Sequence, residues 1–188
     1  MKAVSLVVVP PPFDDLDLTP WLKKELRSDH AGESGAVWIY KGILKTSKDP
    51  VVLEFASHHL ATEQRHLTFF EQWLPDGQKS RMIPIWRAAA FGLGALPALL
   101  GRRWVFVTID AVEQFVVQHY QQQIDVLRTG CEGQNQLADV LTQFQAEEDL
   151  HRLDAADRVV QKHSVLERVW QKVIDVGSRA AVALARLV

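Results

Sequence analysis

Two Glu-x-x-His pairs, Glu63 with His66 and Glu148 with His151, lie in segments whose apolar residues recur every three or four positions. That period marks both segments as helices. On a helix, residues three apart share a face, with Cβ atoms about 5–6 Å apart. One carboxylate and one imidazole can therefore reach a single metal ion from one side. A single pair of this kind is weak evidence, because common residues meet this spacing by chance. Two further glutamates change the weight of the pattern. Glu33 stands 30 residues before Glu63, and Glu113 stands 35 residues before Glu148. Both sit in the middle of apolar stripes, where a carboxylate is expensive to bury unless a partner such as a metal ion compensates. The alternative for Glu33 is a position at a helix edge that reaches solvent.

The stripes define the helices. Thr19 as N-cap and Pro20 at the first position open a helix over 20–45. Its inner face carries Leu22, Leu26, Asp29, Glu33, Val37, Tyr40 and Leu44. Asp49 and Pro50 open a second, over 50–74, with Val52, Phe55, Ala56, His59, Glu63, His66 and Phe70 on one face. A third long helix covers 104–129, with Ile109, Glu113, Val116, Tyr120, Ile124 and Leu127 aligned. The fourth, over 134–162, aligns Leu137, Leu141, Phe144, Glu148, His151, Ala155 and Val159. An amphipathic helix over 165–187 carries Leu166, Val169, Trp170, Val173, Gly177, Ala180 and Leu184. No strand alternation of any length is present.

The long connection from His66 to Glu113 contains residues 88–100, AAAFGLGALPALL, without a charge. Thirteen residues are too few to span a bilayer. Arg81, Arg87, Arg102 and Arg103 flank the segment, and Trp86 and Trp104 mark its ends, a pattern suited to a membrane–water interface. A crossover helix buried in the core is the other reading, and Gly92, Gly94 and Pro97 weaken a helix in either case. A net charge of −2 gives no electrostatic footprint for nucleic acid. The lone Cys131 excludes an internal disulfide and Cys-x-x-Cys metal sites. The short apolar run before Pro10, followed by acidic residues, does not fit a signal or transit peptide. Residues 1–18 are therefore expected to be a tail, and 19–188 a single domain.

Taken together these features predict an all-α, ferritin-like four-helix bundle with a long hydrophobic crossover helix and a C-terminal amphipathic helix. One Glu from each of two helices and one Glu-x-x-His from each of the others is the ligand arrangement of di-iron and di-manganese bundles of that class. Four carboxylates carry −4 and two ferrous ions +4, so such a site is near neutral. Its oxygen-rich donors suit iron or manganese. Asp29, one turn before Glu33, is placed to fix the tautomer of a ligating imidazole, or else is a surface charge near the helix start. Tyr120 lines the pocket or belongs to the core.

Several stretches resemble the demethoxyubiquinone hydroxylase family of quinone biosynthesis. Residues 27–42, RSDHAGESGAVWIYKG, resemble that family's first-helix motif, and residues 111–124, AVEQFVVQHYQQQI, its third, including the His119-Tyr120 pair. Pro84-x-Trp86 through Gly101 resembles the hydrophobic crossover, Glu147-Glu148-Asp149-Leu150-His151 the last ligand pair, and Gly177-Ser178-Arg179 the tail. The similarity runs from about residue 26 to 188. Departures are Ser34, Gln114, Gln118 and the run Gln121, Gln122 and Gln123. The resemblance implies Glu33, Glu63, His66, Glu113, Glu148 and His151 as ligands of two irons. It places Asp29, Tyr40, His119 and Tyr120 behind the ligands or in a substrate pocket. It further implies O₂-dependent ring hydroxylation of a demethoxyubiquinone-type polyprenyl quinone, with NADH as candidate electron donor. No Gly-x-Gly-x-x-Gly motif for a dinucleotide is visible. The implied setting is the membrane surface, on the cytoplasmic side of a bacterial inner membrane, with quinone-biosynthesis proteins or a second copy as candidate partners. Two other readings share parts of the pattern: a ferritin- or rubrerythrin-like protein that stores iron or scavenges peroxide, and a metal-free bundle that binds a lipid or a partner protein.

Overall fold

The computed structural model describes residues 9–187, and among them all regular structure is helical. Six helices follow in order: α1 (Pro20–Thr46), α2 (Pro50–Trp73), α3 (Ile83–Leu100), α4 (Arg102–Leu127), α5 (Glu132–Asp157) and α6 (Val165–Ala185). Their starts follow local chemistry. Thr19 Oγ1 accepts from the Leu22 amide at 3.2 Å. Asp49 Oδ1 accepts from the amides of Val51 and Val52. Ser164 and Glu167 form a reciprocal capping box at the start of α6, so donors left open at the first turn are satisfied.

α1, α2, α4 and α5 form the bundle, with α1 packed on α2 and α4 on α5. The three-residue link between α1 and α2 makes those two antiparallel. The crossover α3 is one continuous helix despite Gly92, Gly94 and Pro97, and it packs along α1. Small residues make this close contact possible. A methyl group at Gly42 would collide with the carbonyl of Phe91, and one at Gly94 with the carbonyl of Ile39. Gly101 ends α3 with φ 111°, a left-handed conformation that glycine adopts without a Cβ penalty, and α4 begins one residue later. α6 lies across α4 and α1.

Two apolar clusters fill the bundle. One gathers Leu22, Leu26, Phe70, Leu127, Leu137 and Phe144. The other gathers Tyr40, Ile43, Phe55, Phe106, Ile109 and Ala155. The polar residues of the inner stripes fall between them on every bundle helix.

One expectation is corrected. The segment 1–18 is not a tail throughout: Phe13, Leu16 and Leu18 are buried in the first cluster, and Phe13 meets Trp73 edge to face. The end of α2 and the start of α5 leave an apolar surface there that needs a cover; residues 1–8 lie outside the described part. The apolar stripe of α6 faces outward. Leu166, Val169, Val173 and Leu184 are exposed, while Ile174 and Ala185 are buried and Trp170 donates Nε1–H to Thr108 Oγ1 at 2.9 Å. The ion pairs of Glu167 with Arg103 and of Arg186 with Glu25 tie the two ends of α6 to the bundle.

A candidate metal centre between two apolar clusters

Each bundle helix brings its stripe carboxylate to one place. Glu33 from α1, Glu63 and His66 from α2, Glu113 from α4, and Glu148 and His151 from α5 are all buried, none more than 3% exposed. They form two overlapping groups whose donor atoms lie within 4.8 Å of one another. Glu33, Glu63, His66 and Glu148 make one group; Glu63, Glu113, Glu148 and His151 make the other. Glu63 and Glu148 belong to both. Both imidazoles turn Nδ1 into the cluster. His66 Nδ1 lies 2.8 Å from Glu148 Oε1 and 3.5 Å from Glu33 Oε2. His151 Nδ1 lies 2.9 Å from Glu63 Oε1 and 3.1 Å from Glu148 Oε2, yet without the angles of a hydrogen bond.

The donor set fits metal ions. Glu33 Oε2, both oxygens of Glu63, Glu113 Oε2, Glu148 Oε2 and His151 Nδ1 are buried without a hydrogen-bond partner. Buried polar atoms are ordinarily paired, and leaving them unpaired costs about 1–3 kcal/mol each. The electrostatics point the same way. Burial pushes the Glu33 carboxyl up to about 8, despite the opposing pull of His66. Burial also raises Glu63 and Glu113, with neighbouring carboxylates adding to it. Burial alone would lower His151, but Glu148 and Glu63 outweigh it and raise that imidazole to about 11. For Glu148, the contacts with His151 and His66 overcome burial and hold its carboxyl below the usual range. Without cations, protons must balance the cluster; two divalent ions among six such donors would replace them.

A pocket reaches this cluster, and all four glutamates line it. Its other walls include Ala36, Phe115, Val116, His119 and Val182 from α1, α4 and α6. Tyr120 donates its hydroxyl to Glu33 Oε1. Tyr40 donates to Glu113 Oε1 at 3.3 Å. Burial raises both phenols well above their ordinary value, so both remain donors.

Asp29 does not meet a ligating imidazole. It accepts from Gln123 Nε2 at 2.9 Å and lies 3.1 Å from His119 Nε2. The reason is topological: His66 and His151 come from α2 and α5, whereas Asp29 faces α4. Two residues close to the cluster receive no site role from the sequence. Glu147 Oε2 stands 2.7 Å from His66 Nε2. His59 packs its ring 4.2 Å from that of His151 and reaches Asp154 through Nε2 at 2.8 Å. His59 does sit in the inner stripe of α2, and that position was its signal. Glu147 precedes Glu148 by one position, about 100° around the helix, so periodicity gives it no inner place.

The chain is similar to known proteins over most of its length. The family described as ubiquinone biosynthesis protein COQ7 matches residues 20–185. A mitochondrial protein of Mus musculus named NADPH-dependent 3-demethoxyubiquinone 3-hydroxylase is 32% identical over 170 residues, covering 85% of this chain and 75% of that protein. A protein of the same name from Dictyostelium discoideum is 28% identical over 170 residues, covering 87% and 76%. The 3-demethoxyubiquinol 3-hydroxylase of Rhodospirillum rubrum is 39% identical over 108 residues, covering 54% and 50%.

Proposed function

The chain belongs to the family of the ubiquinone biosynthesis protein COQ7, and we propose that it hydroxylates a demethoxyubiquinone-type ring at two irons held by Glu33, Glu63, His66, Glu113, Glu148 and His151. It is a hydroxylase of ubiquinone synthesis. The observation that carries the metal reading is the set of unpartnered buried oxygens facing one another at the end of a pocket. The overall change converts a ring C–H and O₂ to C–OH and water, and consumes two electrons and two protons. An iron pair at this site would supply the activation of O₂. A reduced nicotinamide is the proposed source of the electrons, as the names of the relatives suggest.

The chain's own residues do the rest. Ala36, Phe115, Val116 and Val182 offer an apolar wall for a flat ring and keep water out. Tyr120 and Tyr40 hold Glu33 and Glu113 by hydrogen bonds, so that their remaining oxygens turn to the centre. His119 stands in the same wall, its Nε2 near Asp29 Oδ1 and Ser28 Oγ. With a short-tailed demethoxyquinone, a reductant and ¹⁸O₂, the product should carry one labelled oxygen. A product labelled only from water would sink the reading.

Such a substrate resides in a bilayer. α3 is long and apolar enough to cross a membrane, with mean hydropathy 1.5. Its inner side is taken up by α1, however, so we place it at the membrane surface. Ile85, Leu96, Leu99 and Leu100 of α3 are exposed, as is the stripe of α6. This would dock the protein on the cytoplasmic side of a bacterial inner membrane. In flotation with anionic liposomes the protein is expected in the lipid fraction. The double variant Leu96→Asp, Leu99→Asp is expected to stay largely behind. A native protein that remains in the soluble fraction would rule the membrane placement out.

A further inference from the structure

The two halves of the cluster use the same residue types but are not supported alike. His66 presents Nδ1 to Glu148 and Glu33 and directs Nε2 at Glu147 Oε2, 2.7 Å away. Glu147 is itself held: it accepts from Gln143 Nε2 at 3.4 Å and from Arg65 at 3.4 Å. His151 has no equivalent. Among the described residues, Glu63 and Glu148 are the only carboxylates within 4.0 Å of its ring nitrogens, and both meet Nδ1. The neighbour of its ring is the imidazole of His59, whose Nε2 is engaged by Asp154.

We propose that Glu147 is a positioning residue for His66 that makes the two metal positions unequal. The position of Glu33, Glu63, His66 and Glu148 would bind its ion more tightly than the position of Glu63, Glu113, Glu148 and His151. This rests on the two-metal reading above. A carboxylate that accepts the second N–H of a ligating imidazole fixes its tautomer and ring orientation and raises its basicity. Here it leaves the Nδ1 lone pair of His66 turned toward the shared carboxylates. An ion held there would take that lone pair, and the Nε2–H bond to Glu147 would stay intact. The His151 side lacks this support, so only one of two chemically similar positions is stiffened.

The test is anaerobic titration of the full chain with cobalt(II), followed by its d–d absorption and by equilibrium dialysis, for the native protein, Glu147→Gln and Glu147→Ala. The native chain should bind two ions in unequal steps. In Glu147→Ala the tighter step should weaken about 10–100-fold and the weaker step by less than about 3-fold. Glu147→Gln keeps a neutral acceptor for the imidazole hydrogen, so it should fall between the two. With ⁵⁷Fe(II), one of two Mössbauer doublets should shift and the other should not; a general loss of structure would move both. Equal weakening of both steps, or no change in either, would overturn the role of Glu147 while leaving the two-metal centre standing. If Glu147→Ala does not fold, the same comparison is made with Glu147→Gln alone. A folded native chain that binds no ion would overturn both claims.

Discussion

Replacing Glu148 with alanine should lower quinone hydroxylation by about 10³-fold or more, a loss of at least ~4 kcal/mol of transition-state stabilisation. Glu148 is one of only two carboxylates common to both donor groups. Its oxygens stand between the two imidazoles, at 2.8 Å from His66 Nδ1 and 3.1 Å from His151 Nδ1. No neighbouring side chain can take its place: Glu147 points to the far nitrogen of His66, and Asp149 pairs with Arg152 on the surface. The same change should weaken the metal-free fold, by about 3 kcal/mol, because it leaves two buried imidazoles without their shared counter-charge. Steady-state turnover and urea unfolding measure the two effects separately. Unchanged turnover in the alanine variant would remove Glu148 from the centre.

Glu113→Gln should separate function from stability in the opposite direction. Glu113 is buried, Tyr40 reaches one of its oxygens and the other has no partner. Burial holds its carboxyl well above the ordinary range, with Glu148 and Glu63 adding to it. In the unfolded chain a glutamate titrates near about 4.3. At pH 7 the metal-free folded chain therefore keeps a proton that the unfolded chain has lost. This group's contribution to stability falls as pH rises above the unfolded value. Glutamine has the same shape and no charge to lose. Metal-free Glu113→Gln should be more stable than the native chain by about 1–2 kcal/mol at pH 7, with the difference shrinking toward pH 5. With ferrous iron the order should reverse. The native chain gains about 2.7 kcal/mol at a hundredfold excess over Kd, whereas the variant has lost a ligand. Thermal unfolding with and without iron checks both signs. A variant less stable in both states would mean that Glu113 is compensated without a metal.

The bundle and its cluster were largely legible in the sequence. Glu33, Glu63, His66, Glu113, Glu148 and His151 each occupy an inner stripe, and the stripe alone sends a side chain to the core. What escaped depends on which helix packs against which. Asp29 has the right spacing to back a ligand, but the bundle places it opposite Gln123 and His119. Glu147 lies off the inner stripe of α5, yet the neighbouring helix α2 brings His66 to it. The segment before α1 looks like a tail because it is rich in proline and acid, while Phe13, Leu16 and Leu18 cover an apolar surface made only when α2 and α5 meet. The periodicity of α6 reveals two faces but not which one is covered; in the structure Leu166, Val169 and Val173 are exposed, while Ile174 and Ala185 are buried.

The centre itself is tested most directly by counting iron per chain after anaerobic loading with ferrous ion and removal of the excess, in the native protein beside Glu148→Ala. Two irons per native chain, and fewer in the variant, is the predicted result. A folded native protein that retains no stoichiometric metal would contradict it, and would leave the buried carboxylates without the partner that their geometry calls for.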